Sequence, residues 1–378
     1  MAKKHLHIIC FDVPFPVDYG GVFDPFNTIR MLSAAGINIQ LHCFAYGRAE
    51  QPELNKYCTS VYYYPRKSFW STMSSGLPYI VASRSNDLLA ERIQADKSPV
   101  LMQGVHSTFY LNSGLLPRER AFVRLLNVEH QYYANLSQAE NSIWKKIYFK
   151  RESNLLKKYE NTIAKKANFS TVADSDLQFF QEKMGFSNIQ FLPVLLPDTA
   201  IFFDDERGGY CLYHGNLSVA ENEYAATWLI QHIFSGLQIP LVIAGKNPGV
   251  QLQALAKQQP NVCMVANPDD SAMQELIRKA QVNILPSFNN TGVKLKLLNV
   301  LKQGKHCIVN TAGVNGSGLE SCCRITDTTE KMRKEVQCLF NRCFTQQEHQ
   351  DRLNIFSEKF NNQANTAKFI EWIWGKKE

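Results

Sequence analysis

The chain contains 378 residues, of which 45% are hydrophobic and 20% are charged, and its formal net charge is +7. This length suffices for two domains with separate cores, and the composition is typical of a soluble globular protein. Since apolar residues nowhere run together for about eighteen positions, we expect no membrane span. The positive charge suits small anions, nucleic acid or an acidic lipid surface and does not choose between them.

In the first half of the chain, apolar runs of strand length alternate with helical or loop segments. HLHIICFD predicts a strand, GVFDPFNTIRMLSAAG a helix that ends at Gly36, and INIQLHCF the next strand. Further strands are predicted at SVYYYP, PVLMQGV, AFVRLLNV and FSTVA, and a long helical pattern runs from Trp144 to Lys166. This alternation predicts a parallel sheet with helices on both faces.

The pattern breaks between residues 195 and 209. The segment LLPDTAIFFDDERGG combines a proline, a charge cluster and paired glycines, and we place a hinge between two domains there. The alternation then restarts, with strands predicted at YCLYHGN, LVIAG, VCMVA, VNILPS and CIVN. We therefore predict two doubly wound domains, residues 1–197 and 198–360, that face a cleft. The helical tail should return to the first domain through residues 361–378.

Ten cysteines occur along the chain. The first residues, MAKKHLHIICFD, place basic residues before an apolar run that is too short for a signal peptide, so we expect reduced thiols and a cytoplasmic protein. There is no CxxC or HExxH pairing, and the sequence predicts no structural zinc.

The stretch from Ser287 to Gly318 carries the main functional signal. VNILPS leads through a polar loop to Gly292, and a largely apolar helical pattern follows. The first amides of a helix lack partners and lie at the positive end of its dipole. A glycine-containing turn with Lys294 and Lys296 just inside the helix can therefore hold a diphosphate.

Ligands of doubly wound sheets collect at the carboxyl ends of the strands, so the residues that follow each strand are candidates. An ordinary structural role is the alternative for each of them, and Ser218 with Glu221 fits a helix-capping box. The Asp174–Ser175–Asp176 triplet is interpreted as a helix cap, and no metal is predicted. The candidates are Gly20, Gly21, His106, Asn127, Glu129 and His130 in the first domain and Gly215, Asn216, Lys246 and Asn267 in the second.

The helical pattern from 144 to 166 is strongly basic. A solvated helix face is the common outcome of such a charge run, and peripheral docking onto an anionic membrane is the alternative. The relevant residues are Lys145, Lys146, Lys150, Arg151, Lys157, Lys158, Lys165 and Lys166, with Trp144, Tyr148 and Phe149.

Several of these segments resemble bacterial family-four-type glycosyltransferases of the GT-B architecture. The resemblance covers nearly the whole chain and rests on the Gly20–Gly21 loop, IAGKNPG, HGNLSVAENEYAATWL and PSFNNTGVKLKLLNVLKQGKHCIVNTAGVNGSGLE. The variant with GVKLKLLN and CIVN is similar to uncharacterised Bacteroidetes-type members. Such enzymes transfer a sugar from a nucleotide diphosphate, and the resemblance implies retention of anomeric configuration.

The resemblance also assigns roles to residues. It implies that Gly292, Val293 and Lys294 meet the donor diphosphate, with Lys246 as a second cation. Two family glutamates, eight positions apart, correspond to Thr291 and Asn299, and Asn299 can still bond a ribose hydroxyl. The family segment R-x-H-N-x-E-H resembles RLLNVEH here, with Leu126 in place of its first histidine. His130 or His106 then takes that role, or the enzyme works without it.

From the sequence we expect a cytoplasmic hexosyltransferase that builds a surface glycan, peripheral to the membrane if the basic helix docks there. It would use a nucleotide-sugar donor and a glycan or lipid-linked acceptor, with no cofactor and no nucleic-acid partner. The alternatives are a nucleotide-sugar epimerase of the same architecture and a non-catalytic partner protein that keeps the fold.

Overall fold

The computed structural model describes residues 4–140, 142–197 and 200–375. The chain forms two compact units, one from residues 1–197 and 360–378 and the other from residues 198–359. Positions 1–3 at the basic start of the chain and positions 198 and 199 of the expected hinge lie outside the described residues.

A parallel seven-stranded sheet lies at the centre of the first unit, in the order β3-β2-β1-β4-β5-β6-β7. The chain adds β2 and β3 on one side of β1 and the later strands on the other, so the order reverses between β1 and β4. The strands are β1 (His5–Cys10), β2 (Asn38–Ala45), β3 (Ser60–Pro65), β4 (Val100–Gln103), β5 (Ala121–Leu125), β6 (Asn168–Thr171) and β7 (Ile189–Phe191).

Helices connect these strands, as the alternation predicted. Single-turn helices, which the sequence did not indicate, follow β3 and β4. The helices are α1 (Gly20–Ala34), α2 (Phe69–Thr72), α3 (Tyr79–Ala82), α4 (Asp87–Gln94), α5 (Phe109–Asn112), α6 (Glu129–Ala139), α7 (Ile143–Ile163) and α8 (Asp174–Met184).

The second unit contains a parallel six-stranded sheet in the order β10-β9-β8-β11-β12-β13. Here the order reverses between β8 and β11. The strands are β8 (Cys211–Asn216), β9 (Leu241–Lys246), β10 (Val262–Ala266), β11 (Val282–Ile284), β12 (His306–Val309) and β13 (Arg324–Ile325). The predicted doubly wound architecture is confirmed in both units.

In the second unit, α9 to α12 and α15 lie where the sequence predicts helices, whereas α13 and α14 were not predicted. A π-helical turn, Leu229–Phe234, extends α9. None of the described helices combines the length and the apolar character that crossing a bilayer requires. The helices are α9 (Ala220–Trp228), α10 (Val250–Lys257), α11 (Asp270–Lys279), α12 (Leu295–Gln303), α13 (Thr311–Val314), α14 (Thr329–Phe340) and α15 (Gln346–Lys359).

The last helix, α16 (Asn362–Trp374), packs back on the first unit, as predicted. Its Phe369 and Ile373 are buried in a core cluster with residues of β1, β2 and α1. The ring of Trp372 meets that of Phe122 on β5 edge-on, with 5.2 Å between centroids. The apolar face of this helix therefore completes one side of the sheet.

A buried ion pair joins the sheet of the first unit to the helices that cover it. Arg124 on β5 is fully buried, and its Nε and Nη2 donate to the carboxylate of Asp24 on α1 at 2.5 and 2.8 Å. Its Nη1 donates to the carbonyl of Leu192 at 3.0 Å, and its guanidinium lies 5.2 Å from the ring centroid of Phe369. One side chain thus ties β5 to α1, to the segment after β7 and to α16.

We predict that Arg124→Met destabilises the first unit by about 3–5 kcal/mol, because the substitution leaves the Asp24 carboxylate buried without its partner. Combining it with Asp24→Leu should cost less than the sum of the two single substitutions, since no buried charge remains. Urea unfolding of the full chain measures both. Lys56→Ala, which breaks the exposed Lys56–Glu53 pair, is the control and should change little. Strictly additive losses would contradict the coupling.

Candidate functional site

The order reversal between β8 and β11 brings two loops of the second unit together. The loop after β8 leads into α9, and the loop after β11 leads into α12. Ser287 at the start of the latter loop donates from Oγ to Oε1 of Glu221 on α9 at 3.0 Å. Ligands of doubly wound sheets bind where the strand order reverses in this way.

The loop from 286 to 294 has a defined conformation. Asn289 is buried, and its Oδ1 accepts from the amide and the hydroxyl of Thr291, each at 3.0 Å. Gly292 has φ +67°, which favours glycine. Lys294 donates from Nζ to the carbonyl of Thr291 at 2.7 Å. The loop is thus stabilised largely by its own side chains.

Helix α12 begins at Leu295, two residues later than predicted. Lys294 is its N-cap residue with an extended backbone, φ −80° and ψ 95°, so Val293 and Lys294 belong to the loop rather than to the helix. The first amides of α12 therefore follow the lysine, and that of Leu297 donates to the carbonyl of Lys294 at 2.8 Å. Lys294 and Lys296 still flank this helix end, where anions are favoured.

Lys296 lies in the first turn of α12. Its Nζ lies 3.3 Å from Oδ1 of Asn222 and 3.4 Å from Oη of Tyr213, and 4.9 Å from the centre of the Tyr213 ring. Burial lowers the pKa of Lys296 to about 8, although the charge of Glu221 acts in the opposite direction. A lysine in this environment is charged at neutral pH and gains from an added anion.

The other candidates of the second unit lie at the ends of neighbouring strands. Gly215 and Asn216 on β8 pair in register with Gly245 and Lys246 on β9, and Lys246 is exposed. A Cβ on Gly245 would collide with the carbonyl oxygen of Gly215. This close approach explains the glycine at 245 and keeps the two strand ends together.

Asn267 follows β10 and has φ +53°, and Asn247 after β9 has φ +50°. The amide of Asn247 donates to Oδ1 of Asn267 at 2.8 Å. Left-handed backbone is uncommon for residues other than glycine and is enriched in asparagine. Asn247 was not selected from the sequence. The available signal was that IAGKN and VCMVAN each place an asparagine just after a predicted strand.

The capping-box interpretation of Ser218 and Glu221 is wrong. Helix α9 begins at Ala220 with Val219 as N-cap, without a side-chain cap bond. Ser218 instead donates from its amide and Oγ to Oδ1 of Asn216 at 3.1 and 2.7 Å.

Asn299, which corresponds to one of the two family glutamates, is exposed on α12.

In the first unit, the order reversal between β1 and β4 brings Phe11 and His106 together. Their rings stack with centroids 4.6 Å apart. Burial lowers the pKa of His106 well below its ordinary value, and Arg84 and Arg66 act in the same direction. Within the described part of the chain, Nδ1 of His106 is buried without a hydrogen-bond partner. His106 is thus a neutral imidazole at this strand end.

Glu129 and His130 begin α6 at the end of β5, and both are buried. Nδ1 of His130 lies 2.5 Å from Oε2 of Glu160, and the amide of Glu129 donates to the other oxygen of Glu160 at 3.1 Å. Burial raises the pKa of Glu129 to about 8, and the charges of Glu160 and Asp176 contribute. Glu129 is therefore largely protonated at neutral pH. The last candidate of this region, Asn127, is half-buried two residues before Glu129.

Gly20 and Gly21 open α1, with Tyr19 as N-cap. A Cβ on Gly21 would lie 2.6 Å from the Tyr19 ring and 2.9 Å from the Phe11 ring, so packing against these rings requires the glycine. Tyr19 donates from its hydroxyl to Asp12 at 2.7 Å. Asp12 and Tyr19 were not selected from the sequence, although both lie in the segment that leads into the Gly20–Gly21 loop.

The predicted helix cap at Asp174–Asp176 is not formed. The N-cap of α8 is Ala173, without a side-chain bond, and Asp176 is buried. Both carboxylates lie in the first helical turn, where the helix dipole favours negative charge. Across the residues that the structure describes, no group of three or more His, Cys, Asp or Glu side chains is arranged to hold a metal ion.

No protein-family model matches the chain. A curated relative from Klebsiella pneumoniae, an uncharacterised 44.6 kDa protein in the cps region, is 26% identical over 345 residues. The match covers 84% of this chain and 85% of the relative.

Solved structures are similar over nearly the whole length. WaaG, described as a glycosyltransferase involved in lipopolysaccharide biosynthesis, matches with TM-score 0.67 at 12% identity and covers 98% of this chain and 100% of its own. A TarM mutant of S. aureus in complex with fondaparinux, α-GlcNAc-glycerol and UDP matches with TM-score 0.67 at 9% identity, over 99% and 100% of the chains. The chain has the GT-B fold. Each of its two units supplies one of the Rossmann-like domains of that fold.

We predict that affinity for a nucleoside diphosphate falls as the pH rises through about 8. Lys296 is charged below its lowered pKa and neutral above it, and only the charged form attracts the anion. The loss should approach tenfold for each pH unit above about 8 until the ligand-bound pKa is reached. Calorimetric titration of UDP between pH 7 and pH 9.5 measures this, with Lys296→Gln as the variant that should flatten the profile. An equally steep profile in Lys296→Gln would exclude Lys296 as its cause.

Proposed function

We propose that the chain is a glycosyltransferase that moves a hexosyl group from a nucleoside-diphosphate sugar to a glycan or lipid-linked acceptor. One observation carries the proposal. At the order reversal of the second sheet, a glycine-containing loop and two lysines converge on the start of α12. This arrangement suits a diphosphate, and it occurs within the GT-B fold.

The chemistry follows from the charges. Cleavage of the bond between sugar and diphosphate leaves negative charge on phosphate oxygens, and fixed amides and lysines stabilise that charge most in the transition state. Since Lys294 and Lys296 supply the positive charge, we propose transfer without a metal or other cofactor. Retention of configuration is proposed from the family resemblance.

On the first unit, we propose that His106 and Glu129 contact the acceptor. A neutral His106 can accept a hydrogen bond from an acceptor hydroxyl, and its lowered pKa makes it an orienting group rather than a strong base. Glu129, largely protonated near neutral pH, can donate or accept such a bond. His130 is bonded to Glu160 and is better suited to holding Glu129 in place.

The process that we propose is synthesis of a surface polysaccharide. A relative encoded in a cps region and structural similarity to WaaG support it, and the TarM complex with UDP supports a nucleotide donor. The narrower likeness to Bacteroidetes-type members stays a prediction.

Incubation with a panel of nucleotide sugars tests the proposal. Hydrolysis or transfer of one donor is expected, and Lys294→Ala should weaken its binding by roughly 1.5–3 kcal/mol because a charged hydrogen bond is lost. Lys334→Ala, at an exposed lysine paired with Glu330, is the control. Nucleotide binding without turnover would assign the chain to a non-catalytic partner, and absence of binding would exclude the diphosphate site.

We further propose that the enzyme works at an anionic membrane surface on the cytoplasmic side. Trp144 on α7 is 83% exposed and Trp70 on α2 is 79% exposed, values that are unusual for tryptophan. The ring of Phe69 contacts that of Tyr148 on α7, with centroids 6.0 Å apart, so the two tryptophan-bearing segments are neighbours. Lys145 and Lys146 are exposed beside Trp144. Exposed aromatic rings with adjacent lysines are typical of membrane-surface binding.

Flotation with vesicles of phosphatidylglycerol and phosphatidylcholine tests this surface. Binding should require phosphatidylglycerol, and replacing Lys145 and Lys146 by glutamine should weaken it by about 1 kcal/mol per lysine. The same change at Lys157 and Lys158, on the later part of α7, is the matched control. Equal losses in both variants would show a general charge effect, and no binding by the unmodified chain would end the membrane proposal.

A further inference from the structure

Arg84 is a buried cation at the carboxyl edge of the first unit's sheet. It follows α3 and is 5% exposed. Its Nε donates to the carbonyl of Phe11 at 2.8 Å and its Nη1 to the carbonyl of Ile80 at 2.6 Å. Both acceptors are neutral. Burial, with the neighbouring charge of Arg66, lowers the pKa of Arg84 to about 9, so it is charged at neutral pH.

Arg66 lies beside it, just after β3. Its Nε donates to the hydroxyl of Ser83 at 2.9 Å, and its guanidinium lies 4.5 Å from the ring centroid of Tyr79 and 4.9 Å from that of Tyr46. These contacts are with uncharged groups, while the buried Glu152 carboxylate lies close enough to Arg66 for the two charges to attract beyond ion-pair distance. The charge of Arg66 also acts on Arg84, so the two guanidinium groups are neighbours, and each is bonded to neutral acceptors.

Other arginines of the same unit are paired differently. Arg124 is bonded to Asp24, and Arg48 forms an ion pair with Asp18 at 2.6 Å. Among the described residues, no carboxylate lies within the 4.0 Å of an ion pair from Arg66 or Arg84. A buried charge without a counter-ion is costly, and an anionic ligand would offset that cost.

The groups around Arg84 leave this place positive. The groups that raise the pKa of Arg84 are the phenols of Tyr133 and Tyr19 and the carboxylate of Asp12, which accepts from Tyr19. Glu129, on which the charge of Arg84 acts, has its own pKa raised to about 8. Arg84 bonds the carbonyl of Phe11, and the Phe11 ring stacks on His106 where the strand order reverses between β1 and β4. The arginines therefore lie at the place where doubly wound sheets bind ligands.

This cluster adjoins the exposed aromatic surface. The Tyr79 ring, which Arg66 covers, lies 5.4 Å from the ring of Phe69. Phe69 in turn contacts Trp70 and Tyr148, at 5.7 and 6.0 Å. A ligand whose anionic group sits on the arginines would therefore have its remainder beside residues suited to a membrane surface.

We propose that Arg66 and Arg84 bind a phosphate group of the acceptor, which makes the acceptor a phosphate-bearing, lipid-linked molecule. The proposal rests on the glycosyltransferase function proposed above. Guanidinium groups bond phosphate oxygens in pairs, and two of them side by side suit a diphosphate.

Calorimetric titration of the full chain with inorganic pyrophosphate, in the presence of saturating UDP to fill the donor site, tests the proposal. Pyrophosphate should bind, and Arg66→Gln should weaken it by about tenfold or more. Arg84→Lys keeps the charge at the buried position and should weaken binding less than Arg84→Gln. Arg48→Gln, at an arginine already paired with Asp18, is the matched control and should leave the affinity unchanged.

Equal affinity in Arg66→Gln and the unmodified chain would overturn the proposal, as would preference for glucuronate over pyrophosphate. Farnesyl diphosphate distinguishes the sources of phosphate. If farnesyl diphosphate binds more tightly than pyrophosphate, the result supports a lipid-linked acceptor. Equal affinity for the two ligands overturns the proposal that the acceptor is lipid-linked. If the chain transfers sugar but the arginine substitutions leave the affinity for pyrophosphate unchanged, only the acceptor-phosphate site is overturned. If the substitutions weaken pyrophosphate binding but no donor is turned over, the proposed function is overturned instead.

Discussion

The order of strands in each parallel sheet determines where this chain can hold a ligand. Each sheet grows in two directions from a central strand, so the loops after β1 and β4, and after β8 and β11, separate at the carboxyl edge. Backbone groups and polar side chains become accessible there without breaking the sheet. The stacked rings of Phe11 and His106 mark one such place, and the Ser287–Glu221 hydrogen bond marks the other.

The partners of the buried charges separate structural residues from candidate ligand-binding ones. Arg124 meets a carboxylate and carbonyls, which satisfy the guanidinium within the protein and join four segments. Arg84 and Lys296 are held by neutral oxygens instead. Burial lowers the pKa of both side chains. Each lies at an order reversal, where a bound anion would complete its environment.

The sequence predicted the alternation of strands and helices because apolar periodicity decides it locally. The single-turn helices, such as α3, were not predictable, since four residues are too few to show a period. Arg84 was missed for a related reason: its place beside Phe11 is created by tertiary packing across 73 positions. The capping box failed because Glu221 bonds Ser287, a residue 66 positions away that no local pattern could indicate. Lys294 could be selected from the sequence because the turn in which it bonds Thr291 is local, whereas the contacts of Lys296 with Asn222 and Tyr213 come from tertiary packing.

A crystal structure of the chain with bound UDP would test the central claim most directly, because it shows where the diphosphate lies. The account predicts diphosphate oxygens within about 3 Å of Nζ of Lys294 or Lys296 and of the first amides of α12. A diphosphate bound outside the loops that follow β8 and β11 would contradict it.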